Sequence, residues 1–151
     1  MRTRFAPPSD RNALAAMRHK LWPESTVEEH SRDVAPVLAG APLGTLPLVV
    51  LVAEDDDGTL AGFLEVGLRS HADGCDPSQP VGYVEGWYVA EQHRGRRIGA
   101  QLMAAAEEWA RSQGCREMAS DTWIDNVGSQ RAHEALGFEI VDRCVNYRKV
   151  L

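Results

Sequence analysis

The segment Glu91 to Ala100, EQHRGRRIGA, gathers Arg94, Arg96 and Arg97 around Gly95 and ahead of Gly99. These residue types suit an anion. Guanidinium groups make charge-assisted contacts to phosphate, and glycine lets a bulky group approach the backbone closely. The segment follows the apolar, aromatic run VGYVEGWYV, Val81 to Val89, and precedes a helical pattern from Ile98 to Gln113. A loop that enters a helix near Arg97 or Ile98 lies beside that helix's unpartnered N–H groups and the positive end of its dipole. Two readings stand: a backbone cradle for a pyrophosphate, and a solvated basic turn. The segment is not a Walker loop, since it lacks Gly-Lys-Ser/Thr, and it lacks the three-glycine spacing of a dinucleotide fingerprint.

The elements that must position this loop follow from periodicity and punctuation. Met1 to Ala6 suits a short first strand. Pro7-Pro8-Ser9-Asp10 then breaks it and caps a helix through Leu14, Met17 and Leu21 that stops at Trp22-Pro23. Ser25 with Glu28, or Thr26 with Glu29, fits a capping box for a second helix running through Val34 and Val37 toward Gly40. Leu46 to Ala53 and Thr59 to Leu68 form a hairpin around Asp57-Gly58. The run His71 to Pro80 is a loop, and Val81 to Val89 is the next strand. Ile98, Leu102, Ala105, Ala106 and Trp109 share one helix face, with Gly114 closing that helix. A short strand at Met118 and Ala119, a helix from Val127 to Leu136 and alternating β material from Phe138 to Val150 complete the chain. The order β-α-α-β-β-β-α-β-α-β predicts an α/β fold, a mixed sheet flanked by helices, in a single domain over residues 1–151.

Composition narrows the function classes. The 151 residues are 44% hydrophobic with a net charge of −6, which suits one globular core and disfavours a nucleic-acid partner. Neither an apolar membrane span nor a signal peptide is legible, so a cytoplasmic protein without membrane association is expected. Cys75, Cys115 and Cys144 suit neither a zinc site nor a disulfide framework, so reduced thiols and no metal are expected. The acidic balance permits a cationic substrate.

Several runs taken together resemble the GNAT N-acetyltransferase superfamily: Gly82 to Val89, Arg94 to Gly99, Glu108-Trp109-Ala110, and NVGSQRAHEALGF from Asn126 to Phe138. Leu21-Trp22-Pro23, Glu85-Gly86, GCREMASDT from Gly114 to Thr122 and YRK from Tyr147 to Lys149 look more narrowly like aminoglycoside 6′-N-acetyltransferases. The likeness spans essentially the whole chain. One departure stands out: the superfamily loop usually reads Arg/Gln-x-x-Gly-x-Gly/Ala, and Arg97 occupies the place of its first glycine.

The resemblance implies a mostly antiparallel sheet with a splayed parallel strand pair, acetyl-CoA as cosubstrate, an aminoglycoside as acceptor and a homodimer formed through the C-terminal strands. It assigns Trp87, Tyr88 and Val89 to the pantetheine and the thioester carbonyl. The pyrophosphate would fall to Arg94, Gly95, Arg96, Arg97, Ile98, Gly99 and Ala100, and the pantetheine arm also to Asn126. An alkylammonium near pKa 10 is neutral in only about one molecule per thousand at pH 7, so a base is needed, and Glu85 is the candidate. Trp22, His71, Glu85, Asp121 and Asp142 match acceptor contacts; His133, or alternatively Tyr147, would protonate the departing thiolate. Each has a structural alternative: Trp22 as a core plug, Asp121 as a cap, Asp142 as a surface residue, His133 and Tyr147 as packing. The rival functions are an acetyltransferase for polyamines, other small amines or protein lysine, and a non-catalytic acyl-CoA-binding module.

Overall fold

The computed structural model describes residues 1–41, 44 and 46–151. Its strands are β1 (Arg2–Phe5), β2 (Leu48–Glu54), β3 (Leu60–Arg69), β4 (Val81–Val89) and β5 (Met118–Ser120). They form one sheet in the order β1-β2-β3-β4-β5, antiparallel except for the parallel β4–β5 pair. The helices are α1 (Arg11–Leu21), α2 (Val27–Leu38), α3 (Ile98–Ser112) and α4 (Val127–Ala135).

Helices cover both faces, which is why β2 and β3 read as nearly unbroken apolar runs. Along β2, Val50 and Val52 face α1 and α2 with Leu14, Val34 and Phe63, while Leu51 and Ala53 face α3 with Leu64, Val66, Ile98 and Leu102. The two helices of the first face are anchored by local chemistry. Thr26, not Ser25, supplies the capping box: its hydroxyl accepts from Glu29 N–H at 3.1 Å, and its own N–H donates to Glu29 Oε2 at 2.7 Å. At the other end Gly40, at φ 75°, lets Ala41 N–H reach Pro36 C=O and so satisfies a terminal carbonyl. The Asp57-Gly58 hairpin forms with Gly58 at φ 86°.

Two irregularities on β4 shape the site. First, Glu65 pairs with Gly86 and Val66 with Val84, so Glu85 is an extra, bulged residue. A bulge lets consecutive residues share a face. Glu85 lines the cleft on the α1/α2 side, and a Cβ added at Gly86 would lie 2.4 Å from the Trp22 ring on that same side. Second, β5 pairs with β4 only from Gly82 to Val84, and the strands part beyond Ser120.

The C-terminal segment corrects the sequence expectation. Phe138 to Val150, expected as strand material, forms no ladder among the described residues. Phe138 packs on the core, Val141 lies against Gly74, and the rest is exposed, Tyr147 at 92%. Its alternation of Ile140, Val145 and Tyr147 expresses a β preference, but such a preference becomes a strand only beside a neighbouring backbone.

Candidate active site

The strand β4 presents different chemistry on its two sides. Ala90 N–H donates to Ala61 C=O at 2.8 Å. The alternation of an antiparallel ladder therefore turns the Trp87 and Val89 N–H groups away from β3, toward the gap that β5 has left. Behind the gap stands the N-terminus of α3. The first intrahelical acceptor there is Arg97 C=O, bonded by Gln101 N–H, which leaves the N–H groups of Ile98, Gly99 and Ala100 without helical partners. No acidic residue occupies the first turn of α3. At Gly95, φ 77°, no atom lies within 4 Å of an added Cβ, so the backbone is open to a ligand. Gly99 serves close packing instead: a Cβ there would stand 3.1 Å from the Trp87 indole. This combination fits an extended carbonyl-rich chain along β4 that ends in a pyrophosphate at α3.

The basic side chains of the loop are less free than their number suggests. Arg94 Nε donates to Val89 C=O at 3.0 Å, tying the loop to the strand end. Arg96 Nη1 contacts His93 Nδ1 at 3.1 Å and lies 3.8 Å from Asp55. His93 is buried under the loop, an anchor that composition alone did not single out. Arg97 is the N-cap of α3 at φ 62°, ψ 15°, and it alone among the described non-glycine residues has positive φ. The position where the resemblance expects glycine is thus one whose backbone demands it. A side chain in this conformation costs about 1 kcal/mol or more. Arg97→Gly is therefore expected to stabilise the protein by about 0.5–1 kcal/mol after the added unfolded-state entropy, read as a higher urea midpoint at unchanged slope. Affinity for acetyl-CoA should stay within about threefold; a larger loss would make the guanidinium a principal phosphate ligand.

On the opposite face a cleft of about 740 Å³ opens between α1, α2 and the β3–β4 pair. Arg18, Trp22, Asp33, Glu65, Arg69 and Glu85 line it. Arg69 holds Glu85 through two parallel bonds, Nε to Oε1 at 3.0 Å and Nη2 to Oε2 at 2.8 Å. Its guanidinium lies 3.5 Å from the centroid of the Tyr83 ring, and Tyr83 O–H donates to Asp121 Oδ2 at 2.6 Å. Burial, reinforced by Asp121, pushes the Tyr83 phenol well above its ordinary value, so it remains a donor at all physiological pH. The chain Glu85–Arg69–Tyr83–Asp121 joins two of the expected acceptor contacts through residues that sequence reasoning passed over. Trp22 turns out to be both plug and wall: it packs edge-on against Phe63, sits over Gly86 and lines the cleft. His30, buried, donates from Nε2 to Trp22 C=O at 2.8 Å.

His133 lies on the α3 side, edge-on to Trp87 at 5.1 Å and to Phe138 at 5.3 Å. Its Nδ1 is 2.7 Å from Ser129 C=O, an acceptor, so Nδ1 carries a proton; Nε2, 2.7 Å from Ser120 Oγ, is then free to accept from the serine hydroxyl. Ser120 is the last residue of β5, at the point where the strands part. Asn126 caps α4, with Oδ1 accepting from Ser129 N–H at 3.1 Å. Three expected residues are not brought together here. His71 is exposed in its loop beside Asp73, Asp142 accepts a bond from Arg143 N–H, and Tyr147 stands in solvent.

A family model described as the acetyltransferase (GNAT) family matches residues 14–138. The chain is 41% identical over 143 residues to an aminoglycoside N(6′)-acetyltransferase type 1 of Klebsiella aerogenes, covering 95% of this chain and 92% of that one. It is 43% identical over 141 residues to the enzyme of the same name from Serratia marcescens, covering 93% and 92%. Among solved structures it is similar to AAC(6′)-Iy in complex with the bisubstrate analogue CoA-S-monomethyl-acetylneamine, with a TM-score of 0.87, 35% identity, and 99% and 98% of the two chains covered.

Proposed function

Since this chain belongs to the acetyltransferase (GNAT) family, we propose that it transfers the acetyl group of acetyl-CoA to the 6′-amine of aminoglycosides, directly and in a ternary complex. One observation carries the reading: within five residues, Glu85 to Val89, a single strand offers a carboxylate to the cleft on one face and open N–H groups to a gap backed by a helix N-terminus. Donor and acceptor are thereby brought to opposite sides of one backbone. The names of the relatives support the acceptor.

Acetyl-CoA supplies an activated thioester acyl group. Trp87 and Val89 N–H hold its amide-bearing arm and polarise the carbonyl, an electrostatic role that side-chain identity does not report. The free N–H groups of Ile98, Gly99 and Ala100 receive the pyrophosphate, with Arg97 and the unengaged nitrogens of Arg94 and Arg96 beside them. Asn126, whose Oδ1 serves as the cap, has its amide N–H groups left for the arm. Glu85 takes the ammonium proton, and Glu85 with Asp121 draws the cation into the cleft. The departing thiolate takes the Ser120 hydroxyl proton while Ser120 Oγ takes one from Nε2 of His133 in its doubly protonated form, which leaves the neutral ring with its proton on Nδ1 toward Ser129 C=O. No step calls for a metal, and the described residues contain no group of three or more His, Cys, Asp or Glu arranged to hold one.

An acceptor panel with purified protein, acetyl-CoA and a thiol-release readout tests the assignment. Turnover on kanamycin is expected; turnover on spermidine or a lysine peptide without kanamycin would replace the acceptor, and no turnover on any amine would favour the binding module. The proposed unit is one catalytic domain over residues 1–151, acting in the cytoplasm; no helix among the described residues is long and apolar enough to cross a membrane. It is proposed to pair as a homodimer through the exposed apolar segment that ends the chain, with Ile140, Val145 and Tyr147 finding their ladder on a second copy. A monomeric mass in solution at micromolar concentration would remove that pairing.

A further inference from the structure

The cleft contains a second ion pair that the proposed chemistry does not use. Glu65, 5% exposed, stands on β3 directly across the ladder from Gly86, one residue along from the bulged Glu85. Its Oε1 bonds Arg18 Nη1 from the last turn of α1. Arg18 Nε, also buried, has no acceptor. As a device for stability the pair is weak, because the desolvation of two ions is repaid only when every donor finds a partner. Its placement is better explained by what it occupies. The Arg18 guanidinium lies 5.0 Å from the centroid of the Trp22 ring, and so fills the floor of the cleft between that indole and Glu65, with Asp33 on the same wall.

We propose that Arg18 is an internal counter-ion seated in an ammonium subsite: Glu65, aided by Asp33, binds a second ammonium group of a polycationic acceptor when the Arg18 guanidinium swings out. This rests on the acceptor reading above. The exchange replaces one cation by another, so Glu65 is never left buried and unpaired, the arrangement that is most unfavourable. The Arg18 stem is long and flexible, which makes the swing feasible without moving α1. An acceptor with a single amine leaves Arg18 in place. The pair thus selects by number of charges, and Arg18 sets the threshold.

Steady-state kinetics and calorimetric binding with two acceptors test the proposal: kanamycin, with several ammonium groups, and 6-amino-6-deoxyglucose, with the reacting amine alone. Glu65→Gln is expected to raise KM and Kd for kanamycin by about tenfold or more while kcat changes less than about threefold, the loss of one charge-assisted contact. The single-amine sugar should show no such rise. Arg18→Met is expected to lower KM and Kd for kanamycin. Should that variant fold poorly with Glu65 unpaired, Arg18→Met/Glu65→Gln removes both buried charges and is expected to behave as Glu65→Gln. Equal effects on both acceptors, or weaker kanamycin binding by a folded Arg18→Met, would overturn the counter-ion role. Kanamycin bound but not acetylated by the unaltered protein would retire the acceptor reading alone, since the affinities of the variants still decide the pair; no binding at all would retire both.

Discussion

Glu85→Gln is expected to lower kcat on an aminoglycoside by about a hundredfold at pH 7 with little change in the Kd for acetyl-CoA. The amide keeps the volume and one acceptor oxygen of the carboxylate, so the loss measures proton acceptance and charge. Because the attacking amine has a pKa of about 10, the deficit should shrink as pH rises toward that value and the solution supplies neutral amine directly. A pH–rate profile parallel to that of the unaltered protein would show that Glu85 binds the cation without taking its proton. The Arg69 contact makes the control informative. Both Glu85 oxygens are engaged by Arg69 in the free protein, so Arg69→Met, which frees the carboxylate, should not reproduce the Glu85→Gln profile.

His133→Phe is expected to lower kcat by about a hundredfold at neutral pH. Phenylalanine retains an aromatic ring between Trp87 and Phe138 but abolishes the contacts with Ser120 and Ser129, so folding should be kept at some loss of stability. The pH dependence separates the two roles of the ring. A thiolate needs a proton only below the thiol pKa of about 8.5, so a proton donor's absence should be felt less as the pH passes that value. A deficit that is uniform from pH 6 to pH 10 would leave His133 with packing alone. Ser120→Ala should show the same trend with a smaller deficit, since water can replace a relay hydroxyl.

Most elements were legible because their signals are local. The Asp57-Gly58 turn, the Gly40 and Gly114 helix ends and the apolar face of α3 depend on neighbours a few residues away, and each forms as the spacing predicts. The loop between β4 and α3 was legible for the same reason: a strand end, a glycine and a helix start are consecutive in the chain. Phe138 to Val150 carries a strand pattern yet forms no ladder among the described residues, because strand pairing depends on a partner that periodicity does not specify.

The acceptor side of the site was only partly legible. Glu85 and Asp121 stood out through resemblance, yet Arg69 and Tyr83, which connect them, look like an ordinary strand end and an ordinary core aromatic. Glu65 did leave a trace, as the one carboxylate within the apolar run LAGFLEVGL. A lone charge in a strand buried on both faces must find a counter-ion, which the sequence does not name; it came from Arg18, 47 residues away.

By itself, then, the sequence determined which segments become helix, strand and turn, that their order makes a mixed sheet, and that a glycine-bearing basic loop opens α3. Capping, turn geometry and periodicity act over a few residues, so they are written in adjacent letters. Only the tertiary structure decided that β5 leaves β4 after Val84, that a bulge sets Glu85 and Gly86 on one face, and that Arg18 meets Glu65. Those outcomes depend on register and packing between distant segments, where one residue of slip exchanges the faces of a strand. Arg97 stands between the two kinds of information: the sequence marked it as the wrong letter for the loop, and the backbone angle gives the physical reason.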